Sequence, residues 1–176
     1  MEKIIMDGAG IGRAITRISY EIIEKNKGTD DLCIIGIQRR GVALAKMLVE
    51  KIESNENCKM DLGILDITFY RDDLSMLDEH PVLNGTDIPF SIQDKKVILV
   101  DDVLYTGRTC RAAIDAVMDL GRPKSIQLAV LIDRGHRELP VHADYVGKNL
   151  PTSKKEVVKV HLLGYDETEN VTLEQK

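Results

Sequence analysis

The sequence predicts an α/β fold in which a mostly parallel central sheet is flanked by helices. Three apolar runs, at 32–37, 97–100 and 126–132, have the length and composition of strands buried on both faces of a parallel sheet. Segments with helical periodicity alternate with these runs, which is typical of parallel strands joined by right-handed crossovers. The 176 residues show no repeat and no linker, so we expect a single domain spanning 1–176.

The composition indicates a globular protein with no role at a membrane. Hydrophobic residues make up 43% of the chain, but no apolar run approaches the roughly 18 residues that a membrane span needs. Cys33, Cys58 and Cys110 are unclustered, which argues against a disulfide framework or a zinc site. The N-terminus lacks the pattern of a secretory signal, so we expect a cytoplasmic location.

The charge is unevenly distributed along the chain. The net charge of −5 argues against indiscriminate binding to nucleic acid. Residues 134–155 nevertheless carry five basic residues against two acidic ones. A local anionic partner is therefore compatible with this acidic protein.

The first predicted element is a helix that ends at Gly28. Isoleucines at 11, 15, 18 and 22 recur at helical spacing, while Arg13, Thr16, Arg17 and Tyr20 form the opposite, polar face. The glycines at 8, 10 and 12 suggest a dinucleotide-binding loop. We reject that interpretation because Arg13 replaces the last glycine of the pattern and no full strand precedes the loop.

The second unit is a strand at 32–37 followed by Gln38, Arg39, Arg40 and Gly41. Two adjacent arginines in a tight loop could clamp a pyrophosphate through charge-assisted hydrogen bonds, although such pairs are as often simply exposed.

A helix is predicted at 42–52. A strand at 61–69 then leads into a connection at 71–93 that is long for a compact domain. We interpret this connection as a lid hinged near Tyr70 and Arg71, with a hairpin-like turn at Asn84–Gly85.

The stretch 96–109 combines two kinds of binding chemistry. Asp101 and Asp102 follow a buried strand, where open α/β sheets bind ligands, and carboxylates accept hydrogen bonds from hydroxyl groups. The next turn, 105–109, precedes a helix that Thr106 or Thr109 could cap, and the N–H groups at a helix start bind anions. A ribose 5-phosphate would satisfy both parts. A Walker B strand is the alternative, but the chain contains no P-loop sequence.

The last third of the chain supplies one more central strand and the predicted edge. The strand at 126–132 ends at Asp133, which Arg134, Gly135 and His136 follow. Shorter strands at 143–147 and 157–162 are expected at one edge of the sheet. We expect residues 166–176 to form a frayed tail.

Several of these segments resemble known proteins. VILVDDVLYTGRT at 97–109 resembles the PRPP-binding motif of type I phosphoribosyltransferases. AITRI at 14–18, DITFYRDDLS at 66–75, GTDIP at 85–89, SIQLAVLIDRGHRELP at 125–140 and ADYVGKNLPTSK at 143–154 resemble the PyrR family. Members of that family regulate the bacterial pyrimidine operon by binding RNA and are also uracil phosphoribosyltransferases. The resemblance, which covers nearly all of residues 4–162, implies the type I phosphoribosyltransferase fold.

The resemblance also implies the roles of individual residues. PRPP would enter with Mg²⁺, and uracil would attack it to give UMP and diphosphate. The implied catalytic residues are Arg39, Arg40, Arg71, Asp101 and Asp102. The implied PRPP-binding residues are Val97, Asp101, Asp102, Val103, Leu104, Tyr105, Thr106, Gly107, Arg108 and Thr109. Asp133 and Arg134 lie where the base should bind, and Cys110 is expected to serve packing rather than chemistry.

For RNA, the resemblance points to Thr16, Arg17, Tyr20, Arg137, His142 and Lys148. Tyr20 stands where family members often carry His, and a Tyr ring can stack on an unpaired base. The implied partners are the mRNA leader hairpin of the pyrimidine operon, uridine nucleotides that promote RNA binding, and further copies of the chain in a homodimer or larger assembly. Two alternatives share the PRPP motif: a phosphoribosyltransferase for another base with no RNA role, and an RNA regulator with vestigial catalysis.

Overall fold

A parallel sheet of five strands lies at the centre of the computed structural model, which describes residues 2–71 and 85–176. In chain order the elements are β1 (Lys3–Asp7), α1 (Gly8–Asn26), β2 (Leu32–Ile37), α2 (Arg40–Glu56), β3 (Asp61–Leu65), β4 (Lys96–Leu104), α3 (Arg108–Leu120), β5 (Ser125–Asp133), β6 (Tyr145–Asn149), β7 (Glu156–His161) and β8 (Asn170–Gln175). The central strands follow the order β3-β2-β4-β5-β6, and every neighbouring pair is parallel. The predicted α/β fold is confirmed.

Helices cover both faces of this sheet. Along β4, Ile98 and Val100 pack with α1 and α2, while Val97 and Leu99 pack with α3 on the opposite face. Each of these four side chains is at most 2% exposed. The uninterrupted apolar run at 97–100 therefore reflects a strand that is buried on both sides, as such runs do in parallel sheets.

The C-terminal segment belongs to a second, antiparallel sheet with the order β1-β8-β7. Val171 on β8 is fully buried against the same hydrophobic core as α1 and α2. The prediction of a frayed tail at 166–176 is therefore wrong, because β8 forms backbone hydrogen bonds with a strand on each side. The prediction that the strand at 157–162 extends the edge of the central sheet is wrong for the same reason, since β7 pairs with β8.

Two segments near the site differ from the prediction: an unpredicted strand precedes the first helix, and a predicted strand ends early. The strand β1 directly precedes α1, and Asp7 at their junction caps the helix by accepting a hydrogen bond from the Gly10 N–H at 2.7 Å. The strand predicted at 61–69 ends at Leu65, because the Asp66 carboxylate accepts hydrogen bonds from the N–H and hydroxyl groups of Thr68. These bonds favour the 3₁₀ turn Thr68–Tyr70 over a continued strand.

The predicted lid lies only partly within the described residues. Its central part and Asn84, one half of the predicted turn, lie outside them. On the returning side, Asp87 forms an antiparallel bridge with Ile64 through two backbone hydrogen bonds of 2.8 Å. Among the helices of residues 2–71 and 85–176, none is long and apolar enough to cross a membrane.

Candidate active site

The strands β2 and β4 are neighbours at the centre of the sheet, and their connections run in opposite directions. From β2 the chain passes to β3 at one edge, whereas from β4 it passes to β5 on the other side. Open α/β sheets bind ligands at such a switch point, outside the carboxyl ends of the strands. A cavity of about 570 Å³ lies there, lined by Gln38, Arg39, Arg40, Asp66, Ile67, Thr68, Arg71, Asp101, Asp102, Val103 and Thr109. The structure thus brings the five predicted catalytic residues together.

Two adjacent carboxylates from β4 line this cavity. The Asp101 carboxylate accepts a hydrogen bond from the Asp102 N–H at 2.9 Å, and the Asp102 carboxylate accepts one from the Val103 N–H at 2.8 Å. Burial raises the pKa of Asp101 well above its ordinary value, and the neighbouring charge of Asp102 raises it further. A ligand hydroxyl that donates to this pair would stabilise the charged carboxylates.

The turn after β4 forms the second part of the site. Gly107 has a φ of 94° and stands at the N-cap position of α3, where an added Cβ would lie 3.1 Å from the Val141 side chain. The Thr106 hydroxyl accepts a hydrogen bond from the Arg108 N–H at 3.3 Å, whereas Thr109 lies inside the helix. Neither threonine occupies the predicted capping position. The helix start at this turn remains suited to a phosphate group.

The arginine pair lies at the start of α2, with Arg39 at the N-cap position and Arg40 as the first helical residue. The peptide bond between Gln38 and Arg39 is cis. A side chain in place of Gly41 would clash with the Val100 carbonyl oxygen, so glycine lets the helix start lie directly against β4. The positive end of the helix dipole is thereby combined with two cations, an arrangement that attracts anions.

Arg40 has a partner that the sequence did not reveal. Its Nη2 and Nε groups donate to Asp166 Oδ1 and Oδ2 at 2.8 and 3.2 Å. This hydrogen-bonded pair raises the pKa of Arg40 and lowers that of Asp166. Asp166 was missed because it lies in the segment predicted to be frayed, and no motif in the sequence distinguishes it from the other acidic residues of that tail.

Arg134 is only 7% exposed and is bound on several sides. Its Nε donates to Thr152 Oγ1 at 3.2 Å, and its Nη2 donates to the carbonyl oxygens of Ser153 and Glu156 at 3.2 and 2.9 Å. Its guanidinium carbon also lies 4.0 Å from the centroid of the Tyr105 ring. This burial argues against the predicted role of Arg134 as a direct base contact, and its hydrogen bonds instead join the turn at Tyr105 to the segment 152–156.

Asp133 and Arg137, which flank Arg134 in sequence, form an ion pair of 2.6 Å. Arg137 also donates to the carbonyl oxygens of Tyr105 and Val141 at 2.7 and 3.1 Å, and Asp133 also accepts from the Gly135 N–H. The Arg137 guanidinium therefore braces the turn after β4. Three of its five N–H groups are used in these contacts, and its role in RNA binding stays a prediction.

Two further predictions concern residues inside the core. Val97 is fully buried and stands four residues before Asp101 on β4, which is roughly 13 Å along a strand. Its predicted contact with PRPP is therefore wrong. Cys110 is 6% exposed, and burial raises the pKa of its thiol to about 11. A buried thiol of this kind fits the predicted packing role.

A second depression lies between α1 and β6, away from the carboxylates. It is an open groove of about 710 Å³ lined by Ile4, Ile5, Met6, Asp7, Gly10, Arg13, Ala14, Arg17, Gly147 and Lys148. The structure thus brings Arg17 and Lys148 together, and it adds Arg13, which had no assigned role. Tyr20 is 56% exposed on α1, and His142 is exposed on the segment that leads into β6.

Two side chains of α1 that were predicted to bind RNA already form hydrogen bonds within the protein. Arg17 donates to the carbonyl oxygens of Val146 and Gly147 at 3.2 and 2.5 Å and forms an ion pair with Glu21. The Thr16 hydroxyl donates to the Gly12 carbonyl oxygen at 2.9 Å. Arg17 therefore fastens α1 to the edge strand β6, in addition to lining the groove.

Comparison with known proteins agrees with this geometry. The family model described as "Phosphoribosyl transferase domain" matches residues 2–164. "Bifunctional protein PyrR" of Acetivibrio thermocellus is 69% identical over 169 residues, which cover 96% of this chain and 92% of the relative. The proteins of the same name from Caldicellulosiruptor bescii and Clostridioides difficile are 64% and 58% identical, and the matches cover 99% and 97% of this chain and 97% of each relative.

Solved structures share the fold at much lower identity. The hypoxanthine phosphoribosyltransferase of Trypanosoma cruzi superimposes with a TM-score of 0.75 at 21% identity, covering 98% of this chain and 96% of the other. The hypoxanthine phosphoribosyltransferase of Staphylococcus aureus gives a TM-score of 0.72 at 18% identity, covering 96% and 90%. At these identities the likeness concerns the fold alone.

Proposed function

The chain belongs to the phosphoribosyltransferase family and, within it, to the PyrR proteins, and from this premise we propose that it converts uracil and PRPP into UMP and diphosphate. We propose further that it binds the leader RNA of the pyrimidine operon and so regulates transcription attenuation. The identity of 58–69% to PyrR proteins over nearly the whole chain supports both activities.

One observation carries the enzymatic part of the proposal. Asp101 and Asp102 line the same cavity as Arg39 and Arg40, and the turn that begins α3 adjoins that cavity through Thr109. Carboxylates suit the ribose hydroxyls, the helix start at the turn suits the 5′-phosphate, and the arginines suit the pyrophosphate. A single PRPP molecule carries all three groups, with the ribose between the 5′-phosphate and the pyrophosphate.

In the proposed reaction the C1′–O bond to pyrophosphate breaks, a bond from C1′ to N1 of uracil forms, and the proton of N1 passes to the departing diphosphate or to water. Negative charge increases on the pyrophosphate as it leaves, so Arg39 and Arg40 stabilise the transition state most where that charge develops. Arg71, at the start of the predicted lid, adds a third cation to the same cavity. No protein nucleophile takes part in this scheme, in accord with the buried Cys110 thiol.

Mg²⁺ is expected to enter with PRPP. Mg²⁺ is usually bound largely through substrate phosphates and water, so we expect it to be held through PRPP and not by direct protein ligands, with the carboxylates of Asp101 and Asp102 lining the same cavity. When bound, the ion would neutralise part of the pyrophosphate charge. The protein side chains orient the ribose and the leaving group.

The groove between α1 and β6 is the proposed RNA surface. Arg13, Arg17 and Lys148 line it, and Tyr20 is exposed on the same helix as the first two. Arginine and lysine suit RNA phosphates, and an exposed tyrosine suits an unpaired base of a hairpin loop. We also propose that uridine nucleotides promote this binding and that the chain assembles as a homodimer or larger homo-oligomer.

The enzymatic proposal is tested by measuring pyrophosphate release from PRPP with different bases. We expect release with uracil and little with hypoxanthine or orotate. Comparable turnover with hypoxanthine or orotate would contradict the assignment of uracil as the preferred base. RNA binding is tested separately by titrating the leader hairpin with and without UMP. Catalysis without any RNA binding would favour the enzyme-only alternative, and RNA binding without catalysis would favour a regulator with vestigial catalysis.

A further inference from the structure

We propose that Asp166 is a positioning residue for Arg40 and that it thereby sets the affinity of the cavity for the pyrophosphate group of PRPP. The inference rests on the proposed function, because it assigns the pyrophosphate to the side of the cavity that Arg40 lines. It gives the small antiparallel sheet a role at the active site, although that sheet lies outside the central fold.

The geometry of the pair is that of a guanidinium held along one edge. Asp166 accepts from Nε and Nη2 of Arg40, and the two side chains are 16% and 33% exposed. A bidentate pair fixes the plane of the guanidinium, which a single hydrogen bond would not do. Asp166 uses two of the five N–H groups of the guanidinium, so three are left for a ligand in the cavity.

Asp166 is itself held in place by the backbone. Its Oδ2 accepts a hydrogen bond from the Leu162 N–H at 2.9 Å, and its own N–H donates to the Leu162 carbonyl oxygen at 2.9 Å. Leu162 is 1% exposed and belongs to the hydrophobic core. The carboxylate is therefore anchored through a short turn to the packed interior, and it can orient a flexible arginine side chain.

Arg40 has a competing set of partners within the cavity. Asp101 and Asp102 line the same cavity, and the negative charge of Asp102 already acts on Arg40. If Asp166 did not hold the guanidinium, these carboxylates would attract it. Such a contact would occupy the acceptors that the ribose hydroxyls need and would remove Arg40 from the pyrophosphate side. Asp166 thus keeps the cation and the two carboxylates apart before the ligand binds.

The test is the binding of PRPP and of free pyrophosphate, each with Mg²⁺ and without uracil, measured by isothermal titration calorimetry. We expect Asp166→Asn to weaken both affinities roughly 10- to 100-fold, which is what the loss of a hydrogen bond between charged groups typically costs. The matched control is Glu167→Gln, which removes one negative charge from the adjacent, exposed position. The control should bind both ligands with wild-type affinity.

A double-variant cycle separates positioning from general damage to the fold. In an Arg40→Ala background, Asp166→Asn should cause no further loss of affinity, because the residue through which it acts is absent. A further loss there, an equal loss in Glu167→Gln, or no loss in Asp166→Asn would overturn the inference. Should Asp166→Asn fail to fold, Asp166→Glu serves in the same cycle, where its longer side chain should still misplace Arg40.

The same measurements distinguish the two proposals. If the wild type binds PRPP and pyrophosphate but transfers nothing to uracil, the proposed transfer to uracil is wrong and the role of Asp166 is still decided by the binding data. If transfer to uracil proceeds and Asp166→Asn binds normally, only the inference about Asp166 fails. A wild type that binds neither PRPP nor pyrophosphate would overturn both.

Discussion

The guanidinium of Arg134 lies over the ring of Tyr105, with 4.0 Å between the guanidinium carbon and the ring centroid. The same guanidinium donates to Thr152, Ser153 and Glu156. One buried side chain at the end of β5 therefore joins the turn after β4 to the segment that precedes β7. Both loops border the position where the base is expected, so their separation depends on Arg134.

Replacement of Arg134 by Lys tests this connection. Lysine keeps the charge but has neither the planar face that stacks on Tyr105 nor the fork that reaches three acceptors. We expect Arg134→Lys to lower the free energy of unfolding by roughly 2–4 kcal/mol and the melting temperature by roughly 5–15 °C. Arg122→Lys, at an exposed position, is the control and should melt with the wild type. Equal melting temperatures for the two variants would contradict the structural role of Arg134.

Replacement of Asp101 by Asn should stabilise the protein while impairing catalysis. The pKa of Asp101 is raised in the folded state, so the folded state binds the proton more tightly than the unfolded one. The stability of the wild type therefore falls as the pH rises from the ordinary carboxyl pKa of 3.8 through the raised value. At pH 7 the neutral amide avoids this cost, and we expect its melting temperature to be a few degrees higher.

Lowering the pH provides the check on this prediction. As the pH falls from the raised pKa towards 3.8, the destabilisation of the wild type shrinks, and the advantage of Asp101→Asn should disappear near 3.8, where the unfolded chain also binds the proton. The control is Asp115→Asn, at an exposed position that forms an ion pair with Arg111. This variant should not show a gain in melting temperature that disappears at low pH. Transfer to uracil should fall roughly 10- to 100-fold in Asp101→Asn, because a charged acceptor for the ribose is lost. Undiminished turnover would remove Asp101 from the ribose site.

Lys148 offers a cleaner test of the RNA surface than Arg17, which also fastens α1 to β6. We expect Lys148→Ala to weaken binding of the leader hairpin and to reduce its salt dependence by about one ion if the residue contacts a phosphate. Uracil transfer should be unchanged, since Lys148 lies in the groove and not in the active-site cavity. Lys154→Ala removes the same charge from the same basic segment. Similar loss in both variants would indicate a diffuse electrostatic effect instead of a defined groove.

Replacement of Val171 by Ala tests whether the C-terminal strand is part of the core. Val171 is fully buried in the middle strand of the small sheet, so its truncation should cost about 1–3 kcal/mol in the free energy of unfolding, measured by urea denaturation. Leu163→Ala, at a side chain that is 61% exposed, should change it by less than about 0.5 kcal/mol. Equal changes in the free energy of unfolding for the two variants would indicate that the C-terminal strand is not packed in the core.

The sequence by itself determined the central sheet, the two carboxylates at the end of β4 and the turn at 105–109 that precedes α3. These features depend on residues close together along the chain: an apolar run of strand length, a change to helical periodicity, and turn residues at fixed spacing. The run 97–109 contains all of them. Its resemblance to the PRPP motif therefore also indicated the kind of ligand before any three-dimensional information was needed.

Only the tertiary structure decided what each charged side chain does. Arg40 and Asp166 are 126 residues apart in sequence, and the groups that bind Arg134 and Arg137 come from several different loops. The strand β8 likewise depends on partners at both ends of the chain. An arginine in a strand-end loop has the same local pattern whether it faces a ligand or a buried carbonyl. Its role is set by which acceptors the fold brings within hydrogen-bonding distance, and that distance is a property of the packed chain.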